Sequence, residues 1–304
     1  MRPLRALIIY IVVVFVGGAL LAPGLYSLVQ NFSGTLPKLA AEPFHRYVNR
    51  SLLVLALVGL WPLLKALGAR TPADLGLVKP AGQGKRLAAG LFLGFASLAA
   101  VAGIALLAGA RALPEQIALG KLTSKLVGAV ATAAVVATLE EILFRGGMFG
   151  GLKRVLDWRL ALGLSSAIYA LVHFLARTQH AGDVTWSSGL ALLPQMLAGF
   201  GDLHALVPGF FNLTLAGALL ALAYQRTGNL YFSIGLHAGW IFWLKSYGAF
   251  SVPVNDANVW LWGSANMTDG WFACGVLALT LAALFKFSPS QSQPAGAWGR
   301  PRTN

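Results

Sequence analysis

The sequence predicts an all-α membrane protein with several transmembrane helices, and its composition and apolar patterning carry this prediction. Of its 304 residues, 57% are hydrophobic and only 11% are charged, and the mean hydropathy is +0.69. A soluble globular domain usually carries about 25% charged residues. Many apolar stretches also reach the roughly 18 to 20 residues with which a helix spans a bilayer. An ordinary soluble enzyme and a disordered chain are therefore both excluded.

Eight apolar segments, separated by charged or Pro- and Gly-marked breaks, are predicted to be transmembrane helices. The first begins after Arg2 and Arg5 as a signal peptide would, but its apolar run is long for a cleaved signal, so we expect a retained anchor. Residues 1–287 then form a single transmembrane domain with a motif-bearing core at about 122–247. The segments cover residues 6–28, 48–66, 87–109, 122–148, 160–176, 205–225, 229–247 and 270–287.

Three further regions do not fit a simple transmembrane helix. Residues 186–202 are too short and too interrupted by Pro and Gly to cross alone, which is typical of an interfacial or re-entrant segment. Residues 249–269 form an acidic loop on the outer side, where Trp260 and Trp262 indicate an aromatic belt at the membrane surface. The tail, residues 288–304, is rich in Ser, Gln, Pro and Gly and is predicted to be disordered.

The net charge of +13 comes from basic residues scattered through short loops rather than gathered in one patch. This pattern is typical of the positive-inside rule, and we expect membrane lipid and no nucleic acid as a partner. Loops on the amino-terminal side of the eight segments hold fourteen Lys and Arg against eight on the other side, which places both termini in the cytoplasm. The single cysteine, Cys274, excludes an intramolecular disulfide and a multi-cysteine zinc site.

Ionisable side chains inside the predicted segments are the functional candidates. Placing one there costs about 2.5 to 3.5 kcal/mol on insertion scales, so such residues are rare and usually have a role. Five residues pass this filter. They are Glu140, Glu141 and Arg145 in the fourth segment, His173 in the fifth and His237 in the seventh.

Helical spacing divides the three residues of the fourth segment. Glu141 and Arg145 are four residues apart on one face and can form an ion pair that lowers the insertion cost of both. Glu140 is rotated by about 100° from Glu141, so its carboxylate is free for chemistry. The alternative is a buried ion-pair cluster of all three with no catalytic role.

The expected depths of the side chains bring Glu140 and His173 together. Each lies about 16 residues from the turn at Asp157, so an antiparallel hairpin places them face to face, provided that Gly146-Gly147 does not break the helix. Tyr169, one turn before His173, shares its face and can orient the imidazole.

His237 lies about nine residues into its segment, also deep in the bilayer. A membrane histidine can equally serve only as a hydrogen bond between helices.

One carboxylate with two imidazoles supports hydrolysis by two routes. Glu140, His173 and His237 could bind a divalent metal such as zinc whose open position activates water. Alternatively, Glu140 acts directly as the general base while the histidines orient water or stabilise the oxyanion. No Ser or Cys is visibly paired with a base, although Ser165 and Ser166 lie close enough to His173 in sequence to keep a covalent route open.

At these residues the sequence resembles the CAAX-protease and bacteriocin-processing family of intramembrane endopeptidases, also called the CPBP or Abi family, which includes the type II prenyl endopeptidases. Glu140–Arg145 fits E-E-x-x-x-R, and Tyr169–His173 fits F/Y-x-x-x-H. Thr227–Leu230, leading to Ser233–His237, fits the third motif. The three occur in the family's order and cover about residues 130–245, which makes the combined signal strong although each motif alone is weak.

The resemblance implies about eight transmembrane helices around a polar intramembrane cavity. It implies that Glu140 activates water, that His173 positions it and that His237 helps to hold the tetrahedral oxyanion, supported by Glu141 and Arg145. Members are often named metalloproteases, although metal use is unsettled in the family. It further implies a membrane-associated peptide or protein substrate, for which a prenylated protein is one option, and an integral location in a bacterial inner membrane.

One residue departs from the family's pattern. The last motif is usually H-x-x-x-N or H-x-x-x-D, but Ile241 stands four residues after His237. Isoleucine cannot donate a hydrogen bond, and losing one oxyanion donor can cost about 100- to 1000-fold in rate. If that donor is limiting, Ile241→Asn should raise activity, and an unchanged rate would mean that another group fills the role.

Two other functions compete with proteolysis. Ile241 favours a noncatalytic membrane scaffold for immunity or partner binding. A proton-coupled transporter could use Glu140 and the histidines as a relay, but no repeat symmetry pairing two broken helices supports it.

Overall fold

A computed structural model describes residues 2–66, 68, 71–116, 119–175, 182–254, 257–264 and 267–287. The predicted disordered tail at 288–304 lies outside the described residues. The described part of the chain is almost entirely helical; two-residue strands β1 (Arg111–Ala112) and β2 (Val252–Pro253) pair antiparallel. The helices are α1 (Arg2–Val12), α2 (Gly18–Asn31), α3 (Pro37–Ala40), α4 (Phe44–Ala66), α5 (Gly84–Leu107), α6 (Leu119–Glu140), α7 (Gly150–Leu152), α8 (Trp158–His173), α9 (Ser188–Gln195), α10 (Leu203–Thr227), α11 (Tyr231–Phe250), α12 (Val259–Trp262) and α13 (Trp271–Phe287).

Each of the eight predicted segments falls on helix, and the protein is an all-α polytopic membrane protein as its composition predicts. Among the described residues, five helical stretches are long and apolar enough to cross a bilayer. Others, such as α8, are shorter. The five are Arg5–Asn31, Phe44–Ala66, Gly84–Leu107, Leu119–Leu152 and Leu206–Thr227.

The chain divides into two compact units. The first comprises Met1–Arg70 and Phe174–Asp202. Its core is a cluster in which Phe44, Tyr47 and Val48 of α4 meet residues of α2 and α9. The segment expected to be interfacial or re-entrant, residues 186–202, folds within this unit as α9 followed by a 3₁₀ turn.

The second unit, Thr71–His173 with Leu203–Asn304, contains the motif-bearing core. In it, α5 and α11 meet backbone to backbone at glycines spaced four apart, Gly90 and Gly94 on one helix and Gly235 and Gly239 on the other. A Cβ at Gly94 would lie 2.0 Å from the carbonyl oxygen of Leu236, so no larger residue fits this contact. Small residues at such spacing allow the closest helix packing in membranes. Because Leu236 is the residue before His237, this contact fixes the position of α11 next to His237.

The helix that carries the two glutamates does not break at Gly146-Gly147. It continues from α6 into a π-helical segment, Glu141–Phe149, and then into α7. Glycine at position 146 allows close packing, because a Cβ there would lie 2.8 Å from the carbonyl oxygen of Leu75 in the 3₁₀ turn Pro72–Leu75. Short π-helical turns occur frequently at functional sites. The condition for the predicted hairpin with α8 is therefore met.

Candidate active site

Glu140 is the last residue of α6, and its carboxylate lies beside two imidazoles. Its Oε2 atom is 3.8 Å from Nε2 of His173 and 3.7 Å from Nε2 of His237. This oxygen is buried and has no hydrogen-bond partner among the described residues, although the side chain as a whole is 25% exposed. The three residues that the sequence singles out from different helices, α6, α8 and α11, are thus brought to one place.

The other ring nitrogen of each histidine determines which way its lone pair points. Nδ1 of His173 lies 2.7 Å from the backbone carbonyl oxygen of Tyr169, and Nδ1 of His237 lies 3.0 Å from Oε1 of Glu141. Both partners are acceptors, so each Nδ1 carries the proton and donates it. In the neutral rings, both Nε2 atoms therefore present lone pairs toward the Glu140 carboxylate.

Tyr169 contacts the His173 imidazole through its backbone and its ring. The backbone carbonyl accepts the hydrogen bond from His173, and the two rings lie 4.3 Å apart between centroids with their planes inclined at 53°. The hydroxyl instead lies 3.4 Å from Nε2 of His237. The i, i+4 spacing on α8 places the backbone carbonyl and the ring in reach of the same imidazole, which leaves the hydroxyl for the neighbouring helix.

Glu141 and Arg145 form the ion pair that their spacing predicts. The Arg145 Nη1 atom lies 3.3 Å from Glu141 Oε1, and both side chains are buried, at 2% and 0% exposure. Arg145 also donates from Nη2 to the carbonyl oxygen of Gly217 at 3.4 Å, and its guanidinium lies 4.4 Å from the Tyr169 ring centroid. We call Glu141, Arg145 and the Gly217 carbonyl the inner layer, and Glu140 with His173 the open layer. His237 contacts both.

Sequence reasoning missed Gly217, which acts through its backbone. Residue 217 of α10 packs so closely on α8 that a Cβ there would lie 2.9 Å from the Cα atom of Ser166. This approach brings the Gly217 carbonyl within reach of Arg145. The run Ala216-Gly217-Ala218 is the available signal, since consecutive small residues mark close helix contacts in membranes.

Comparison with known protein families finds one match within the chain. Residues 122–243 match the family model described as type II CAAX prenyl endopeptidase Rce1-like. This part of the chain, which we call the Rce1-like region, is similar to that family. The resemblance inferred from the three motifs is thereby confirmed, and the Rce1-like region contains Glu140, His173 and His237. No curated protein and no solved structure matches the chain.

The side chains of Glu140, His173 and His237 are of the types that bind a divalent metal. Two imidazole nitrogens and a carboxylate are ligands that zinc accepts, and the unpartnered Oε2 of Glu140 lies 3.8 and 3.7 Å from the two Nε2 atoms. Among the described residues, no group of three or more His, Cys, Asp or Glu side chains is already arranged closely enough for a metal ion, so these three would have to move together to bind one.

Two other residues of the Rce1-like region limit the possible chemistry. The hydroxyls of Ser165 and Ser166 donate to the carbonyl oxygen of Leu162 at 3.1 and 2.7 Å, so both are occupied and neither is paired with an imidazole. A covalent serine route thus has no support in the geometry. Ile241, one turn after His237, is buried in an apolar cluster and offers no hydrogen bond.

Proposed function

We propose that this protein is an intramembrane endopeptidase that hydrolyses a peptide bond of a membrane-associated protein. The single observation that carries the proposal is the buried, unpartnered Oε2 atom of Glu140, which lies 3.8 and 3.7 Å from the Nε2 atoms of His173 and His237. Each gap exceeds a direct hydrogen bond. The spacing suits one small molecule that donates protons to acceptors around it, which is what a catalytic water does.

Glu140 is the general base in this proposal. A water held here donates one hydrogen to Glu140 and the other to Nε2 of His173, so its own lone pair is directed to the substrate. As the water oxygen attacks the peptide carbonyl carbon, Glu140 takes the first proton and the carbonyl π electrons move to oxygen. Glu140 then returns the proton to the leaving nitrogen as the carbon–nitrogen bond breaks and the carbonyl re-forms as a carboxylic acid.

His237 holds the oxyanion in its protonated form. A neutral His237 has its proton on Nδ1, facing Glu141, and cannot donate from Nε2. Once it has taken a second proton from the surrounding water, before the attack, the Glu141 carboxylate 3.0 Å away accepts the hydrogen bond from Nδ1–H of the imidazolium, as a buried carboxylate does for a catalytic histidine in other hydrolases. Nε2–H then donates to the tetrahedral oxyanion, a contribution worth about 100- to 1000-fold in rate.

The family match and the location of the site both support a lipid-anchored substrate. Glu140 is held within one of the long apolar stretches, Leu119–Leu152, so the bond to be cut has to enter the site from lipid or from the membrane surface. A protein anchored by a lipid chain meets this requirement, and the type II CAAX prenyl endopeptidase description of the region favours a prenylated one. The excess of basic residues on the amino-terminal side further supports cytoplasmic termini.

A zinc-assisted route is the alternative chemistry for the same function. Glu140, His173 and His237 would hold the ion, which would supply an activated water. Metal analysis of the purified protein separates the two routes. A stoichiometric divalent ion that is lost in His173→Ala favours the metal, whereas activity that persists at full rate after exhaustive chelation favours the direct route.

The function is tested by presenting the purified protein, in lipid vesicles, with a library of lipid-anchored peptides that includes farnesylated C-terminal sequences. We expect cleavage by the unaltered protein and a loss of about 1000-fold or more in Glu140→Gln, because an amide cannot accept the proton of water. Glu115→Gln, a change at an exposed carboxylate away from the site, should leave the rate unchanged.

Two outcomes contradict the proposal. Cleavage at an undiminished rate in Glu140→Gln would remove Glu140 as the base. No cleavage by the unaltered protein would favour a noncatalytic scaffold, for which Ile241 is the specific observation.

A further inference from the structure

The Tyr169 side chain is fixed in the site by contacts to its ring. It is 3% exposed, and its ring meets the ring of Phe144 edge-on at 5.0 Å, the ring of His173 at 4.3 Å and the Arg145 guanidinium at 4.4 Å. Because the ring is packed on several sides, the position of the hydroxyl is fixed as well. We therefore ask which group in the site this hydroxyl serves.

The hydroxyl is positioned to donate a hydrogen bond. Its oxygen lies 3.4 Å from Nε2 of His237, and the Glu140 carboxylate is its second side-chain neighbour. In the resting site the Nε2 atom and the carboxylate both carry lone pairs only, so the tyrosine supplies the proton in either contact. A carbonyl oxygen that enters the site beside Nε2 of His237 therefore meets the Tyr169 hydroxyl, 3.4 Å from that nitrogen, as a hydrogen-bond donor.

Resting on the function proposed above, we propose that Tyr169 is a catalytic residue whose hydroxyl donates to the tetrahedral oxyanion and does the work that Ile241 cannot do. Water attacks the peptide carbonyl, Glu140 takes one of its protons, the π electrons move to oxygen, and that oxygen accepts a hydrogen bond from Tyr169. The tyrosine keeps its proton throughout. The hydroxyl at 169 thus compensates for the apolar residue at 241.

Tyr169→Phe tests the proposal because it removes the hydroxyl and keeps the ring with its three packing contacts. On the lipidated peptide that the unaltered protein cleaves fastest in the vesicle library, kcat should fall by about 100- to 1000-fold while KM changes little. Tyr231→Phe is the matched control, since its hydroxyl donates to the carbonyl oxygen of Val78 at 2.9 Å, away from the Glu140 carboxylate. That variant should keep the full kcat.

A second variant distinguishes a donor from a merely structural hydroxyl. Ile241→Asn alone should change kcat by less than about threefold, because the donor is already supplied. In the Tyr169→Phe background, the same substitution should raise kcat at least about tenfold above that of Tyr169→Phe alone, since an amide one turn from His237 can reach the same oxyanion.

The proposal is overturned if Tyr169→Phe keeps kcat within about threefold of the unaltered protein, or if Ile241→Asn restores nothing to it. Either result leaves the endopeptidase function standing provided that Glu140→Gln is inactive. Undiminished cleavage by Glu140→Gln would instead remove the proposed function itself. The three variants thus separate failure of the inference from failure of the function.

Discussion

Glu140 and Glu141 are neighbours in the chain, but they lie in opposite environments. Glu141 is fully buried in the inner layer, where both Arg145 and His237 contact its Oε1 atom. Each carboxylate keeps an Oε2 atom without a hydrogen-bond partner among the described residues, but Glu140, in the open layer, is 25% exposed and its Oε2 atom lies beside the two histidine Nε2 atoms. A step of about 100° along a helix separates the two carboxylates. The comparison teaches that the Glu141 carboxylate has a structural role, because it holds Arg145 and His237 in place, and that the Glu140 carboxylate stays available for reaction.

The sharpest test of this difference is the same substitution at both positions. Glu141→Gln should lower the free energy of unfolding by about 3 to 5 kcal/mol, because it leaves the Arg145 charge buried without its partner. Glu140→Gln should change it by less than about 0.5 kcal/mol, since the Glu140 oxygen has no charge partner within hydrogen-bonding distance to lose. Unfolding in detergent followed by circular dichroism measures both. Equal losses of stability would mean that the two carboxylates are not divided as described.

The two histidines extend the comparison, with a smaller expected effect. His237→Gln should cost about 1.5 to 3 kcal/mol of stability, because it breaks the buried hydrogen bond to the Glu141 carboxylate, whereas His173→Gln should cost less than about 1 kcal/mol. Both should lower the rate of peptide cleavage by about 100-fold. The same unfolding and cleavage assays give the two quantities. A greater loss of stability in His173→Gln would mean that His173, and not His237, is the histidine that contacts the inner layer.

The smallest effect is expected from the backbone of the inner layer. Gly217→Ala should cost about 1 kcal/mol, because its Cβ would lie 2.9 Å from Ser166 Cα and α10 would have to move away from α8 and from Arg145. Gly163→Ala on α8 is the control, since a Cβ there meets no atom within 4 Å. If both variants unfold at the same denaturant concentration, close packing at Gly217 does not hold the inner layer.

The sequence predicts the helices and the ion pair because both depend on local spacing. Apolar length locates the eight helical segments, and the four-residue step from Glu141 to Arg145 suffices to predict their contact. The alignment of Glu140 with His173 also follows from counting residues on either side of Asp157. It requires only that the helix continue through Gly146-Gly147, which it does in π-helical form.

The contacts between non-adjacent helices could not be predicted in the same way. The Tyr169 hydroxyl meets His237, 68 residues along the chain, and nothing in the spacing within α8 indicates which neighbouring helix it faces. The Gly217 carbonyl is a backbone atom that every residue type shares, so only the absence of its side chain is visible in a sequence. The tautomers of the histidines likewise depend on which acceptor each Nδ1 meets after folding.

The most direct test of the central claim is nitrogen-15 nuclear magnetic resonance on protein labelled at histidine, in lipid and at a pH where the imidazoles are neutral. The signals are assigned with His173→Gln and His237→Gln. Both residues should carry their proton on Nδ1 and leave Nε2 unprotonated toward Glu140, as the contacts to Tyr169 and Glu141 require. A proton on Nε2 in either neutral ring would contradict the account, because the Glu140 carboxylate would then face a donor and would no longer be free to accept the proton of water.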